Sequence, residues 1–254
     1  MKINKHVVRG QVTIFIILGI VVVMSILAVL FFTDGISIGS DSGGDPKDIV
    51  RKCVEDSIKD SVEKMLKNGG EILPSKEILY KGEEWNYLCY QADYYQSCYN
   101  IHPMLESQIE KEIVRDSEER VGECFVAMIK NFKDKGYDVS NGALDYSVNL
   151  LPGYIDVDLF KRIEISREDG SQVFEDFSFE VISSLYDLVK VARDVVNSES
   201  QFCHFEYNGY MLLYPRFDIR RFDYIDSKMY RLIDRRSGDE FRFAIRSCAY
   251  APGI

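Results

Sequence analysis

Residues Val12 to Phe32, VTIFIILGIVVVMSILAVLFF, form 21 positions without a charged side chain, and the hydroxyls of Thr13 and Ser25 are their only polar groups. As a helix rising ~1.5 Å per residue the run reaches about 31 Å, close to the ~30 Å hydrocarbon thickness of a bilayer. A helix pairs its own backbone donors and acceptors, so hydrocarbon can surround it without stranding them. The run therefore predicts a single transmembrane anchor over residues 12–32, with the lipid bilayer as its partner. It separates a short flank, residues 1–11, from the long body of the chain.

Lys2, Lys5 and Arg9 precede the run with no acid among them, and the first charge after it is Asp34. Basic flanks stay on the cytoplasmic side, which directs the N-terminus inward and the body outward. The whole chain carries −10, and setting aside those three cations leaves −13 on the body. Such a charge repels nucleic acid, so no nucleic-acid partner is expected. All six cysteines, Cys53, Cys89, Cys98, Cys124, Cys203 and Cys248, lie beyond the anchor, in the compartment where disulfides persist. Their closest spacing leaves eight residues between Cys89 and Cys98, so there is no C-x-x-C zinc pair. Three disulfides are expected, and neither a metal nor a cofactor.

The apolar run exceeds the ~7–15-residue core of a secretory signal peptide, and Ala28-Val29-Leu30-Phe31-Phe32 offers no small-x-small cleavage site. Upstream, Arg9-Gly10-Gln11-Val12-Thr13-Ile14-Phe15 sets a basic residue and Gly directly before Gln and the apolar run. This resembles the class III signal of archaeal type IV prepilins, and the resemblance implies cleavage between Gly10 and Gln11 by a prepilin peptidase. The same stretch is also similar to a set of uncharacterised archaeal surface proteins, which brings no known activity. That likeness continues through Val50-Arg51-Lys52-Cys53-Val54-Glu55, Lys67-Asn68-Gly69-Gly70 and Phe243-Ala244-Ile245-Arg246-Ser247-Cys248-Ala249. Pilins carry Glu at the fifth mature position, where this chain has Phe15, and continue their first helix into the head, where this chain has Gly35, Gly39, Gly43 and Gly44. Both departures argue against a filament subunit.

Residues 33–45, TDGISIGSDSGGD, form a flexible Gly/Ser spacer. Asp45-Pro46 then reads as a helix start, followed by a stripe at Ile49, Val50, Cys53, Val54, Ile58, Val62, Met65 and Leu66 that ends at Gly69-Gly70. Ile78–Tyr80 and Trp85–Tyr90 predict a hairpin. His102-Pro103 opens a long helix to about Lys135, with Leu105, Ile109, Ile113, Val121, Cys124, Phe125, Met128, Ile129 and Phe132 on its apolar face. Cys53 and Cys124 both fall on apolar stripes, which predicts a bridge closing a loop of about 70 residues. Cys89 and Cys98 form a local pair, leaving Cys203 with Cys248 by elimination.

Further on, Leu144–Leu151, Tyr154–Ser166 and a segment from Val173 have strand character. Helical spacing is read from about Phe179 to Val196, then a short strand over Gly209–Leu213. Met229–Ile233 and Glu240–Arg246 form a hairpin, with Phe241, Phe243 and Ile245 alternating against a wet face of Arg242, Ala244 and Arg246. The expected architecture of the head, residues 46–254, is α+β. Helices pack on antiparallel sheet, disulfide-stapled, with two subdomains near 46–140 and 141–254 as an option.

The sequence holds no G-x-S-x-G, H-E-x-x-H or Walker motif. Cys203-His204 would form a thiol–imidazole pair only with Cys203 reduced, and neighbours on a strand point apart. Asp156 and Asp158 could share a face as a hydrolase pair, but acids are abundant in this chain, and no catalysis is expected. Two sets of residues stand out as interaction surfaces for a glycan or protein partner. One is aromatic, Tyr80, Trp85, Tyr87, Tyr94 and Tyr95; the other is basic, Arg220, Arg221, Arg235 and Arg236. The expected function is a membrane-anchored extracytoplasmic surface protein that binds rather than catalyses. A pilin-like subunit processed after Gly10 and a membrane-tethered hydrolase are the alternatives.

Overall fold

The computed structural model describes residues 17, 19, 20, 22–24, 45–168 and 170–251. The basic flank, the Gly10–Gln11 junction, the spacer up to residue 44 and most of the 12–32 run lie outside the described residues. Ile17, Gly19, Ile20 and Val22 to Met24 are helical and exposed. Among the described residues, no helix is long and apolar enough to cross a membrane. The chain divides into two compact units, Met1–Gly43 and Gly44–Ile254.

Helix α1, Pro46–Lys67, begins where Asp45 accepts a hydrogen bond from the Lys47 amide (2.9 Å) and Pro46 supplies a preset φ at the first turn. Its buried line, Val50, Val54, Ile58 and Met65, lies against α2, Leu105–Asp134, which buries Ile109, Ile113, Val121, Phe125 and Met128. Cys53 and Cys124 are bonded with their Cα atoms 5.8 Å apart. Cys124 is buried, whereas Cys53 lies on the exposed side of α1, so this bridge rims the helix interface instead of sitting within it. A polar clasp holds the helices on another turn: Asp116 accepts from Ser61 Oγ (2.7 Å), Lys64 Nζ (2.9 Å) and Arg120 Nη2 (2.8 Å).

Two sheets complete the head. The first runs β1 (Glu77–Tyr80), β2 (Glu83–Tyr90), β10 (Glu240–Arg246), β9 (Ser227–Asp234) and β8 (Phe217–Tyr224), with β3 (Tyr99–Asn100) also on β2. The second is built on β6 (Tyr154–Arg167): β4 (Asp138–Asn141) and β5 (Asp145–Leu151) pair with its two halves, and β7 (Gly170–Ile182) pairs along its length. Helices α3, Leu185–Phe202, and α4, Tyr207–Leu213, connect the sheets. The α+β class is as expected, but β2 and β10 run parallel, so the first sheet is mixed rather than antiparallel. Their pairing also places residues of 46–140 and of 141–254 in one sheet.

Three local readings differ from the structure for physical reasons. Phe179–Ile182 is strand, because the ladder with β6 continues to Ile182 opposite Tyr154, and the helix starts only at Leu185. Gly209–Leu213 is helical, with Glu206 accepting from the Gly209 amide (3.4 Å) and none of its side chains buried to supply a strand's packing. On β10, Ala244 and Arg246 are buried, so the supposed wet face of that strand is covered.

Gly69 and Gly70 end α1 with positive φ, and a Cβ on Gly70 would stand 2.8 Å from Ile109 Cδ1. Gly70→Ala is expected to destabilise the oxidised chain by about 1–3 kcal/mol, read as a lower denaturation midpoint at unchanged slope. Burial would raise the Asp116 carboxyl, but hydrogen bonds from Arg120, Lys64 and Ser61 overcome this and hold it down at about 2. A depressed carboxylate stabilises above its unfolded value near 4 and loses that contribution as pH falls toward about 2. Asp116→Asn should accordingly flatten the acid limb of stability against pH between those values, by up to ~2 kcal/mol. An unchanged limb would show that the clasp contributes nothing.

Candidate interaction surface

The aromatic residues between β1 and β3 part into two groups with opposite surroundings. Lys81 and Gly82 (φ 53° and 84°) make a two-residue turn between β1 and β2, which sets Ile78 opposite Trp85 and Tyr80 opposite Glu83. Trp85 and Tyr87 then point to the same side of the sheet as Met229 and Ala244. Trp85 is 2% and Tyr87 5% exposed. Tyr80 is half-buried and packs its ring edge-on to Trp85 (6.2 Å between centroids) and Tyr224 (4.9 Å). Tyr87 Oη bonds to Ser227 Oγ at 2.7 Å, and burial raises its hydroxyl above the ordinary tyrosine range. Trp85 and Tyr87 therefore belong to a second small core on the far face of the sheet. This corrects the expectation that they line a contact surface.

Tyr94 and Tyr95 behave differently. They lie in the loop closed by the Cys89–Cys98 disulfide (Cα–Cα 5.4 Å), where β2 and β3 pair Tyr90 with Tyr99. The C-terminal segment holds this loop by its backbone: the Gln91 amide donates to Arg246 O (3.0 Å), the Tyr95 amide to Ala249 O (2.9 Å), and the Cys248 amide to Gln96 O (2.7 Å). Arg246, nearly buried, donates to Gln91 O and to Asp226 Oδ2 (2.7 Å), and its guanidinium lies 5.0 Å from the Tyr94 ring centroid. Cys203 and Cys248 are bonded (Cα–Cα 5.7 Å) just beyond, so two disulfides flank the loop and its support.

The result is an exposed row of tyrosine rings. Tyr94–Tyr95 centroids are 6.5 Å apart and Tyr95–Tyr250 5.8 Å, and the three side chains are 37%, 53% and 76% exposed. Tyr99, on the adjoining β3, is also exposed. Tyr95 has φ +62°, a left-handed conformation that costs a non-glycine residue about 1 kcal/mol or more. The disulfide and the three backbone hydrogen bonds over-determine the loop and hold that conformation. Tyr250 is absent from the sequence expectations, and Arg246 figures there as a solvent-facing strand residue rather than as the support of this loop. Their signal was adjacency to Cys248, which counts only once the loop and the C-terminal segment are known to meet.

The basic set does not form one patch. Arg220 pairs with Asp218 (2.8 Å) and Arg221 with Asp223 (2.7 Å) on β8, while Arg235 and Arg236 occupy the β9–β10 turn, where Arg235 donates to Pro215 O (3.3 Å). Alternation of Arg with Asp along the strand produces local neutralisation. Asp156 and Asp158 do share the outer face of β6, beside Glu180 and Ser178 on β7. Burial, then the nearby Asp158 and Glu180 charges, raise the Asp156 carboxyl. Cys203 is bonded, and the exposed His204 faces Glu206 (3.6 Å) instead. Among the described residues, no group of three or more His, Cys, Asp and Glu could hold a metal ion.

No protein family, curated protein or solved structure matches this chain. Trp85→Ala is expected to cost about 3–5 kcal/mol and Tyr250→Ala no more than ~0.5 kcal/mol in chemical denaturation. Equal costs would erase the distinction between the buried aromatic core and the exposed tyrosine row.

Proposed function

We propose that this chain is a membrane-anchored extracytoplasmic surface protein that acts by binding, with Tyr94, Tyr95 and Tyr250 as its contact face. The observation that carries the reading is the exposed tyrosine row on a disulfide-closed loop. Tyrosine offers large apolar area with a polar tip at little entropic cost, and a covalently closed loop loses less freedom on binding than an open one. Three disulfides suit an oxidising compartment, and the uncharged 12–32 run suits an anchor with its basic flank inside. The partner class is another cell surface, an envelope glycan or a protein. A second reading, processing between Gly10 and Gln11 as in prepilins, rests on Arg9-Gly10-Gln11.

Full-length chain in nanodiscs should bind envelope fractions of its native host. The triple substitution Tyr94→Ala, Tyr95→Ala and Tyr250→Ala should weaken that binding at least ~tenfold while leaving the denaturation midpoint in place. Undiminished binding by the triple variant would remove the tyrosine face from the interaction. Intact mass of the mature protein decides the second reading, since a chain beginning at Gln11 establishes processing and an uncut chain refutes it.

A further inference from the structure

A different site lies where α2 begins. The residue before the helix, Met104, provides no capping side chain, so no side chain satisfies the first-turn amides of this 30-residue helix. Beside them a groove of about 230 Å³ runs between Pro103–Ser107 and the α3 residues Val189 and Arg193. Arg193 is 44% exposed in its side chain and donates to Glu106 Oε1 at 3.0 Å. A second cavity shares Leu105 and Arg193 with the groove, a well of about 10 Å³ whose other walls are Leu88, Asn100, His102 and Val196. That is room for one water-sized group.

The His102 side chain is 7% exposed, and its Nε2 has no hydrogen-bond partner. The network on its other side determines what that atom wants. The Glu71 carboxylate only accepts, taking bonds from the Ser75 amide (2.9 Å), Asn86 Nδ2 (3.1 Å) and Gln108 Nε2 (2.6 Å). Gln108 must therefore turn its carbonyl oxygen toward His102 Nδ1, 2.8 Å away, and Nδ1 must carry the proton. With the proton on Nδ1, Nε2 of an uncharged ring is an acceptor, on the ring that lines the well. A buried acceptor in that state calls for a donor, and an anionic oxygen cannot serve.

We propose that groove and well bind a hydroxycarboxylate of the kind a sugar acid presents. Its carboxylate would lie on Arg193 and the α2 amides, and one hydroxyl would enter the well and donate to His102 Nε2. Arg193 then exchanges or shares its bond with Glu106, and the helix terminus adds fixed positive charge. The two ends of the site ask for different chemistry, which separates a hydroxycarboxylate from a simple anion and from a neutral sugar. The site uses none of the tyrosine row, so the two readings fail independently.

The test is a titration of full-length chain in detergent micelles, ¹⁵N-labelled at histidine, reading the His102 Nε2 resonance. Glucuronate should shift it with a Kd near ~1 mM, whereas glucose and acetate should not. Arg193→Ala should weaken the glucuronate response at least ~tenfold while leaving the chemical-denaturation midpoint in place, which reports an intact fold. The methyl glycoside of glucuronate distinguishes a glycan-chain terminus, which it would match, from a free sugar acid. No glucuronate shift, an equal response to acetate or glucose, or an unaltered response in Arg193→Ala overturns the proposal.

Discussion

The parallel pairing of β2 with β10 is the contact on which the rest of the head depends. Parallel neighbours need a long crossover, and here residues 91–239 supply it. Tyr87 comes beside Ala244 and Cys89 beside Ile245, so the last strand enters the sheet between a strand from the first half and β9. Once β10 is seated, Gly69 after α1 lies close to Asn86 and Phe243, and the C-terminal segment reaches the 89–98 loop. The exposed tyrosines are a consequence of that seating.

Buried polar groups secure the same region from below. Glu199 of α3, fully buried, accepts from Tyr230 Oη (2.6 Å) and pairs with Lys228, which also donates to Cys203 O. Burial, then the Glu199 charge, push the Tyr230 hydroxyl far up, so it stays a donor. Ser247 Oγ donates to Glu199 O (2.9 Å) and accepts from the Cys98 amide (3.2 Å). One network thus joins the end of α3, the two C-terminal strands and both nearby disulfides. Losing one member would strand the others in a poorly solvated interior, which makes the arrangement specific.

How much could be read beforehand follows from the range of each interaction. Both long helices were legible because their apolar stripes are local, as are the Asp45 cap and the glycine stop of α1. The β1–β2 and β9–β10 hairpins were legible through alternation and turn residues, and β5 and β6 were legible as strands. The pairing of cysteines was legible because two lay on helices bound to pack and two were close in the chain. Local pattern failed where a neighbour decided the outcome. Phe179–Ile182 has helical spacing but completes a ladder with β6, and Met211–Leu213 has strand composition but finds no strand beside it.

The aromatic residues show the division most clearly. Sequence by itself determined that rings crowd between Tyr80 and Tyr99, that six cysteines follow a long uncharged run, and that the body is acidic. Only the tertiary structure decided that Trp85 and Tyr87 are core while Tyr94, Tyr95 and Tyr250 face outward, and that His102 Nε2 is buried without a hydrogen-bond partner. The physical reason is that composition and periodicity report a residue's own preference for burial. Exposure and hydrogen-bond satisfaction depend on which distant strand, here β10 with its C-terminal extension, arrives alongside.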